Sequence, residues 1–135
     1  MTKPVILVDI ESAFSSPYST EITKILNNSH ENGMEIKLIA STFGCKDRDR
    51  EERVLNASNI NPDIIENVIG IFSIDDDILA NVVAIVDEDK NNPIVERTIQ
   101  KSKNNAQHFF PSQPEELTQH LGIATPTPPV INPPA

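Results

Sequence analysis

The chain has 135 residues, a length at which one domain can bury a core of its own. Aromatic residues make up only 4% of it and Trp is absent, so Ile, Val and Leu must build the core, which suits a sheet covered by helices. The formal net charge of -9 argues against binding to nucleic acids or to anionic membrane surfaces.

The sequence also lacks the marks of export and of membrane insertion. No stretch approaches the roughly 18 consecutive apolar residues of a membrane span, and none has the form of a signal peptide. The single cysteine, Cys45, cannot form an internal disulfide. We therefore expect a cytoplasmic protein.

Five short runs rich in branched aliphatic residues predict strands. In chain order they are "PVILVD", "MEIKLIAS", "VIGIFS", "VVAIVD" and the weaker "AQHFF". Between the first two, "SPYSTEITKILNNSHENG" predicts an amphipathic helix with Ser16 as its cap, Pro17 at its first position and Gly33 as its stop.

Helical patterns continue to alternate with the later strands. "DRDREERVLNAS" and "NPDIIEN" fill the next gap, with Asn61 as cap and Pro62 at the first helical position, and "NPIVERTIQKSK" and "QPEELTQHLG" each follow a strand. Only "IDDDILAN" is too short for a full crossover helix. This alternation predicts an α/β fold, a three-layer sandwich around a mostly parallel, Rossmann-like five-stranded sheet.

The composition changes after Gly122. Residues 123–135 hold five of the eleven prolines, which neither a helix nor a central strand accommodates. We expect an α/β domain over 1–122 and a disordered proline-rich tail over 123–135. The alternative for the tail is a docking ligand for a protein partner, since an extended proline helix binds aromatic grooves.

Polar residues follow the predicted strands, and ligand sites of open parallel sheets lie beyond the carboxyl ends of strands. Carboxylates crowded there would repel one another unless they were splayed into water or held by a hard cation such as Mg²⁺, which takes oxygen ligands. These residues are Asp9 and Glu11, Ser41 and Thr42, Ser73 and Asp75 to Asp77, and Asp87 to Asp89.

In this order, "VILVDIES", "IKLIAST" and "VAIVDEDKNN" resemble the motifs of the haloacid dehalogenase-like (HAD) superfamily. Its first strand ends in Asp-x-Asp, its second in Ser or Thr, and its fourth in paired acidic residues. The resemblance covers about residues 4–122, and the chain has no room for a large inserted cap, so it describes a small, uncapped and partly degenerate member.

The resemblance implies a role for each matched residue. Asp9 would be the nucleophile that forms an aspartyl-phosphate, and Glu11 the acid/base, one methylene longer than the Asp that the family normally has there. Ser41 or Thr42 would hydrogen-bond the phosphoryl oxygens.

The resemblance also implies a magnesium site. Asp87, with Glu88 or Asp89, would complete the Mg²⁺ shell together with the Asp9 carboxylate and the backbone carbonyl of Glu11.

One basic residue of the family has no counterpart at its usual place. "IDDDILANVVAIVDE" lacks the Lys that the family carries just ahead of its fourth strand. Lys46, Arg48 or Lys90 would have to reach the phosphate from another loop, and Lys46 is the residue we assign to it.

Three functions stay open at this point. The first is a magnesium-dependent phosphohydrolase acting on a phosphorylated small molecule or a phosphoprotein. The second is a catalytically degenerate member of the same fold that binds a ligand or a protein. The third is a receiver-like phosphoacceptor domain, although Phe110 and Pro111 stand where a receiver has its Lys. His108 and His120 have no zinc spacing and indicate surface or core-edge positions.

Overall fold

The structure is a computed structural model that describes residues 3–14, 17–40, 53–70 and 73–122. The strands in these ranges are β1 (Val5–Asp9), β2 (Glu35–Ala40), β3 (Val68–Gly70), β4 (Val82–Val86) and β5 (Gln107–Phe109), each inside one of the predicted runs. The helices are α1 (Ile10–Phe14), α2 (Ser19–Glu31), α3 (Pro62–Ile65), α4 (Asp76–Ala80), α5 (Pro93–Lys101) and α6 (Pro114–Leu121). Residues 53–57 are also helical.

The strands form one sheet in the order β3-β2-β1-β4-β5, and every neighbouring pair is parallel. This confirms the predicted α/β class with a Rossmann-like parallel sheet. The chain winds outward from β1 to β3 and then returns to place β4 on the other side of β1. The direction of winding therefore reverses between β1 and β4, where open sheets of this kind bind their ligands.

The strand order bears on the receiver-like alternative. Receiver domains have the order 2-1-3-4-5, in which the third strand lies next to the first. Here β3 lies at the edge of the sheet, separated from β1 by β2. The sheet therefore does not fit a receiver.

Two apolar clusters lie on opposite faces of the sheet. Ile6 and Val8 of β1 belong to one, which also takes in α1, α2, α3 and α6. Val5 and Leu7 belong to the other, with α4 and α5. Because successive side chains of a strand point to opposite faces, this division makes the three layers that the alternation predicts.

An irregularity interrupts the pairing of β1 with β4. Val5 pairs with Val82 but Ile6 pairs with Ala84, so Val83 is an extra residue on β4. The Val83 carbonyl accepts a hydrogen bond from His120 Nε2 at 2.8 Å. This β-bulge sets the register of the carboxyl half of β4.

The helix boundaries confirm some signals and correct others. Asn61 caps α3 with its side chain and Pro62 follows in the first turn, as predicted, and Asn92 and Pro93 begin α5 in the same way. Gly33 follows the end of α2 with φ of +92°. The prediction for Pro17 was wrong, because α2 begins at Ser19 and Pro17 lies in a turn before it. The proposed cap, Ser16, lies outside the described residues.

A side-chain clamp fixes the turn that precedes α3. Asn27 of α2 accepts a hydrogen bond from the Asn61 amide at 2.8 Å and donates to the Asn59 carbonyl at 3.3 Å. Asn59 has a φ of +64°, a conformation that Asn tolerates better than most residues. The clamp ties this turn to α2.

The remaining sequence predictions about chain organisation stay untested. The proline-rich tail at 123–135 lies outside the described residues. Within the part of the chain that the structure describes, no helix combines the length and the apolar character needed to cross a membrane.

Candidate functional site

Two buried carboxylates meet at the carboxyl edge of the sheet, where the winding reverses. Asp9 is the last residue of β1, and Asp87 directly follows β4. Val8 pairs with Val86, so one further step of this register puts Asp9 opposite Asp87. Their exposures are only 8% and 1%, which is uncommon for residues of this type. The sequence prediction that these two strand ends converge is correct.

Asp9 has a local structural task as well as a place in the site. Its Oδ2 accepts hydrogen bonds from the Ser12 amide at 3.1 Å and from the Ser12 hydroxyl at 2.7 Å. Asp9 immediately precedes α1 and Ser12 is the third residue of that helix, so the carboxylate contacts the helix as an N-cap does. One reason for a buried strand to end in Asp is therefore to start this helix.

Ser12 also connects the two carboxylates. Its hydroxyl oxygen lies 3.4 Å from Asp87 Oδ1, in addition to its short bond to Asp9. The same atom thus contacts a carboxylate oxygen of each residue, which places Asp9 and Asp87 on either side of one hydroxyl group.

Asp87 is held by donors from the loop that follows it. The Asp89 amide donates to Asp87 Oδ1 at 2.8 Å, and Asn92 Nδ2 donates to Oδ2 at 2.9 Å. Asn92 uses its other side-chain atom, Oδ1, to cap α5 at the Ile94 amide. Asn92 therefore couples the start of α5 to the carboxylate.

The backbone of Asp87 is bound by β5. Its N–H donates to the Phe109 carbonyl at 3.1 Å, and its carbonyl lies 2.6 Å from His108 Nε2. A carbonyl can only accept, so His108 is the donor and carries a proton on Nε2. The expectation that His108 is only a surface or core-edge residue missed this contact.

The electrostatics of the pair favour a proton or a cation. Burial raises the pKa of Asp87 above its usual value, and the nearby Asp9 carboxylate raises it further. Hydrogen bonds from Asp89, Asn92 and Ser12 oppose this by stabilising the charged form. Among the described residues, no Lys or Arg forms an ion pair with either carboxylate.

The other predicted acidic residues are less buried than this pair. Glu11 lies in the first turn of α1 and is half-buried, whereas Glu88 and Asp89 are exposed. In the α4 region, Asp75 caps the helix and Asp76 forms ion pairs with Arg97 and Lys101. Asp75 therefore starts α4, and Asp76 ties α4 to α5.

The residues predicted to bind the phosphate follow β2 and β4 in the sequence. Ser41, Thr42, Lys46 and Arg48 lie outside the described residues, although Ala40 ends β2 at the same edge of the sheet. Lys90 is described and is exposed in the loop after β4.

The donor set can be tested against Mg²⁺. No group of three or more His, Cys, Asp or Glu suited to a metal ion occurs within the described ranges. Two convergent carboxylates remain, and proteins bind Mg²⁺ through one or two carboxylates while it keeps several waters. The pair fits a cation of that kind and does not form an all-protein cage.

Three residues of the site escaped the sequence analysis. Ser12 stands three residues after Asp9, a spacing that a search for capping could have found. Asn92 was recognised only as the start of a helical pattern, and its bond to Asp87 was not predicted. The contact of His108 with Asp87 spans 21 residues and leaves no local signal.

Comparisons with protein-family models, with curated proteins and with solved structures found no match to this chain. The resemblance to the HAD superfamily stays a prediction from the sequence.

Proposed function

We propose that this chain is a magnesium-dependent phosphohydrolase of the HAD-like type, with Asp9 as its nucleophile. The observation that supports the proposal best is the convergence of Asp9 and Asp87 around the Ser12 hydroxyl, at the point where the sheet changes its direction of winding. Its substrate would be a phosphorylated small molecule or a phosphoprotein.

The described hydrogen bonds assign different tasks to the two oxygens of Asp9. Both bonds from Ser12 go to Oδ2, which they hold in place. Oδ1 would then attack the phosphorus atom, forming an Oδ1–P bond while the bond from phosphorus to the leaving oxygen breaks. Because its partner oxygen is fixed, the attacking atom needs little reorganisation.

Glu11 is the proposed proton donor for the leaving oxygen. It lies two residues beyond Asp9, in the first turn of α1. In the second step Glu11 would take a proton from the water that attacks the aspartyl-phosphate, releasing inorganic phosphate and restoring Asp9. The longer Glu side chain keeps the chemistry of the family's Asp but changes its reach.

Asp9 and Asp87 are the residues that would hold Mg²⁺. When bound, Mg²⁺ supplies the positive charge that two carboxylates and a phosphate need in order to approach one another. Ser41, Thr42 and Lys46, which follow β2, are the proposed contacts for the phosphoryl oxygens.

Hydrolysis of a generic aryl phosphate, with and without Mg²⁺, tests the proposal. We expect turnover that requires Mg²⁺ and disappears in Asp9→Asn, which keeps the shape of the side chain but removes the nucleophile. Asp77→Asn is the matched control, because Asp77 is an exposed carboxylate of α4. Turnover that persists in Asp9→Asn would contradict the role of Asp9.

Glu11→Asp tests the acid/base separately. General acid–base catalysis is typically worth about 10² to 10⁴-fold, so restoring the family's residue should raise a weak activity if Glu11 is misaligned. A lower activity would instead indicate that this chain is adapted to the longer side chain.

A second candidate is a non-catalytic domain of the same fold that binds a phosphorylated ligand or a protein. Its support is that the chain's own donors contact three of the four carboxylate oxygens of the pair. Hydrogen bonds to a carboxylate stabilise its charged form and make it a weaker nucleophile. This candidate predicts Mg²⁺ binding without turnover in both the wild type and Glu11→Asp.

A further inference from the structure

We infer that His108 is a positioning residue for Asp87, and that the Mg²⁺ affinity of the Asp9–Asp87 pair depends on its hydrogen bond. The inference rests on the proposed function, because it concerns the same cation site. None of the three motif segments quoted for the resemblance includes His108, which lies on β5.

The first step is the way in which β5 holds Asp87. His108 pairs with Ile85 in the sheet, two residues before Asp87, yet its side chain reaches forward to the Asp87 carbonyl at 2.6 Å. Phe109 accepts the Asp87 N–H. Both backbone polar groups of Asp87 are thus bound by consecutive residues of β5, just beyond the last residue of β4.

The second step is the orientation of the ring. The His108 imidazole contacts Phe110 edge to face, with centroids 4.6 Å apart and an interplanar angle of 71°. This contact restrains the ring, so Nε2 stays directed at the carbonyl. His108 is half-buried, which limits competition from water for the same acceptor.

The third step is the reason that Asp87 needs such restraint. Its carboxylate lies near a second carboxylate, so repulsion favours any movement of residue 87 away from Asp9. Asn92 and the Asp89 amide hold the side chain, and His108 holds the main chain. Without His108, the side-chain bonds alone would have to resist this repulsion, and the two carboxylates would be less well placed for one cation.

The structure offers a matched control in His120. Its Nε2 also binds a β4 carbonyl, that of Val83, at 2.8 Å, and its ring also contacts an aromatic ring, Phe109, at 5.0 Å. That bond lies four residues before Asp87. His120→Phe removes the same kind of interaction from the same strand and leaves the four hydrogen bonds described for Asp87 from Asp89, Asn92, Phe109 and His108 in place.

The experiment titrates Mg²⁺ alone into the full chain and follows the amide NMR signals of Asp9, Asp87 and Asp89. In His108→Phe, which keeps an aromatic ring beside Phe110, we expect Mg²⁺ affinity to fall about 10- to 100-fold, the usual effect of removing an outer partner of a metal ligand. His108→Gln, whose amide nitrogen can take the place of Nε2, should recover most of the affinity, and His120→Phe should bind as the wild type does.

The outcomes separate the inference from the proposed function. If the wild type binds Mg²⁺ and His108→Phe binds equally well, or if His120→Phe is weakened as much, His108 has no positioning role and the proposed site stands. If Mg²⁺ shifts no signal of the wild type, the proposed function fails.

In that last case a metal-free measurement decides the inference. The Asp89 amide, which donates to Asp87 Oδ1, should exchange with solvent faster in His108→Phe than in His120→Phe. Equal exchange in the two variants would overturn the claim that His108 holds Asp87.

Discussion

Asn92→Ala should destabilise the protein by more than the loss of a helix cap can explain. The substitution removes the cap of α5, worth about 1 kcal/mol, and the hydrogen bond from Asn92 Nδ2 to the buried Asp87 carboxylate. A hydrogen bond to a charged group contributes about 1.5–3 kcal/mol, so the total should be about 2.5–4 kcal/mol.

Comparison with Asn61→Ala isolates the contribution of the hydrogen bond from Asn92 to Asp87. Asn61 caps α3 in the same way, with Pro next in sequence and a bond to the amide two residues on. Its capping bond is 2.9 Å, against 3.3 Å for that of Asn92, so the Asn92 cap should not be the stronger of the two. The difference between the variants should therefore be about 1.5–3 kcal/mol and belong to Asp87.

Urea unfolding followed by far-UV circular dichroism measures both variants, since the chain has no Trp to serve as a fluorescent probe.

The raised pKa of Asp87 means that the folded protein keeps this proton at pH values where the unfolded chain has lost it. Stability from this group therefore grows as the pH falls through the raised pKa toward 3.8 and is lost as the pH rises.

The pH dependence gives a second check on the same bond. The Asn92 bond favours the charged form of Asp87, so its contribution to stability should be largest at neutral pH and should shrink as the pH falls through the raised pKa of Asp87, which lies above 3.8. Equal destabilisation by Asn92→Ala and Asn61→Ala at neutral pH would refute the reasoning, because Asp87 would then gain nothing from Asn92.

Further outcomes follow from other contacts. Asn27→Leu leaves two backbone groups of the turn before α3 without their side-chain partner and should cost about 1–3 kcal/mol in urea unfolding. Ile85→Val, in the fully buried centre of β4, should cost about 0.5–1.5 kcal/mol in the same assay. Arg97 lowers the pKa of Asp76, so Arg97→Ala should raise that pKa toward 3.8 in an NMR titration. The stability that Asp76 contributes is present above 3.8 and is lost as the pH falls through its folded-state pKa, so in Arg97→Ala this loss should occur at a higher pH than in the wild type. Deleting 123–135 should leave the melting temperature unchanged, because this segment has no amphipathic repeat.

The sequence predicts the sheet well because each strand carries its own signal. A run such as "VVAIV" is branched, apolar and short, and alternation with helices is enough to require parallel pairing. The Asn-Pro pairs likewise mark the starts of α3 and α5 through a purely local bond. In contrast, α2 begins two residues after Pro17, because Pro is as compatible with a turn as with the first turn of a helix.

For the site, too, the sequence predicts what local signals determine and misses what depends on contacts between distant residues. Asp9 and Asp87 were predicted to converge because the rule for strand ends needs only strand direction, which the alternation supplies. The contacts of Ser12 and His108 with Asp87 depend on how the end of β1 and a residue of β5 are placed beside β4. The pattern of apolar residues along the sequence does not indicate this placement. The bulge at Val83 was equally invisible in the sequence.

That bulge gives the chain a way to tolerate changes of length. The amino end of β4 pairs with Val5 in one register, and the carboxyl part pairs with Ile6 to Val8 in a register shifted by one residue. One residue gained or lost between α4 and Val83 could be accommodated at the bulge, where the two registers meet. The His120 hydrogen bond would then re-form on a neighbouring carbonyl. Asp87 would keep its place opposite Asp9, so related sequences of different length in this region could conserve the carboxylate pair without conserving the spacing that leads to it.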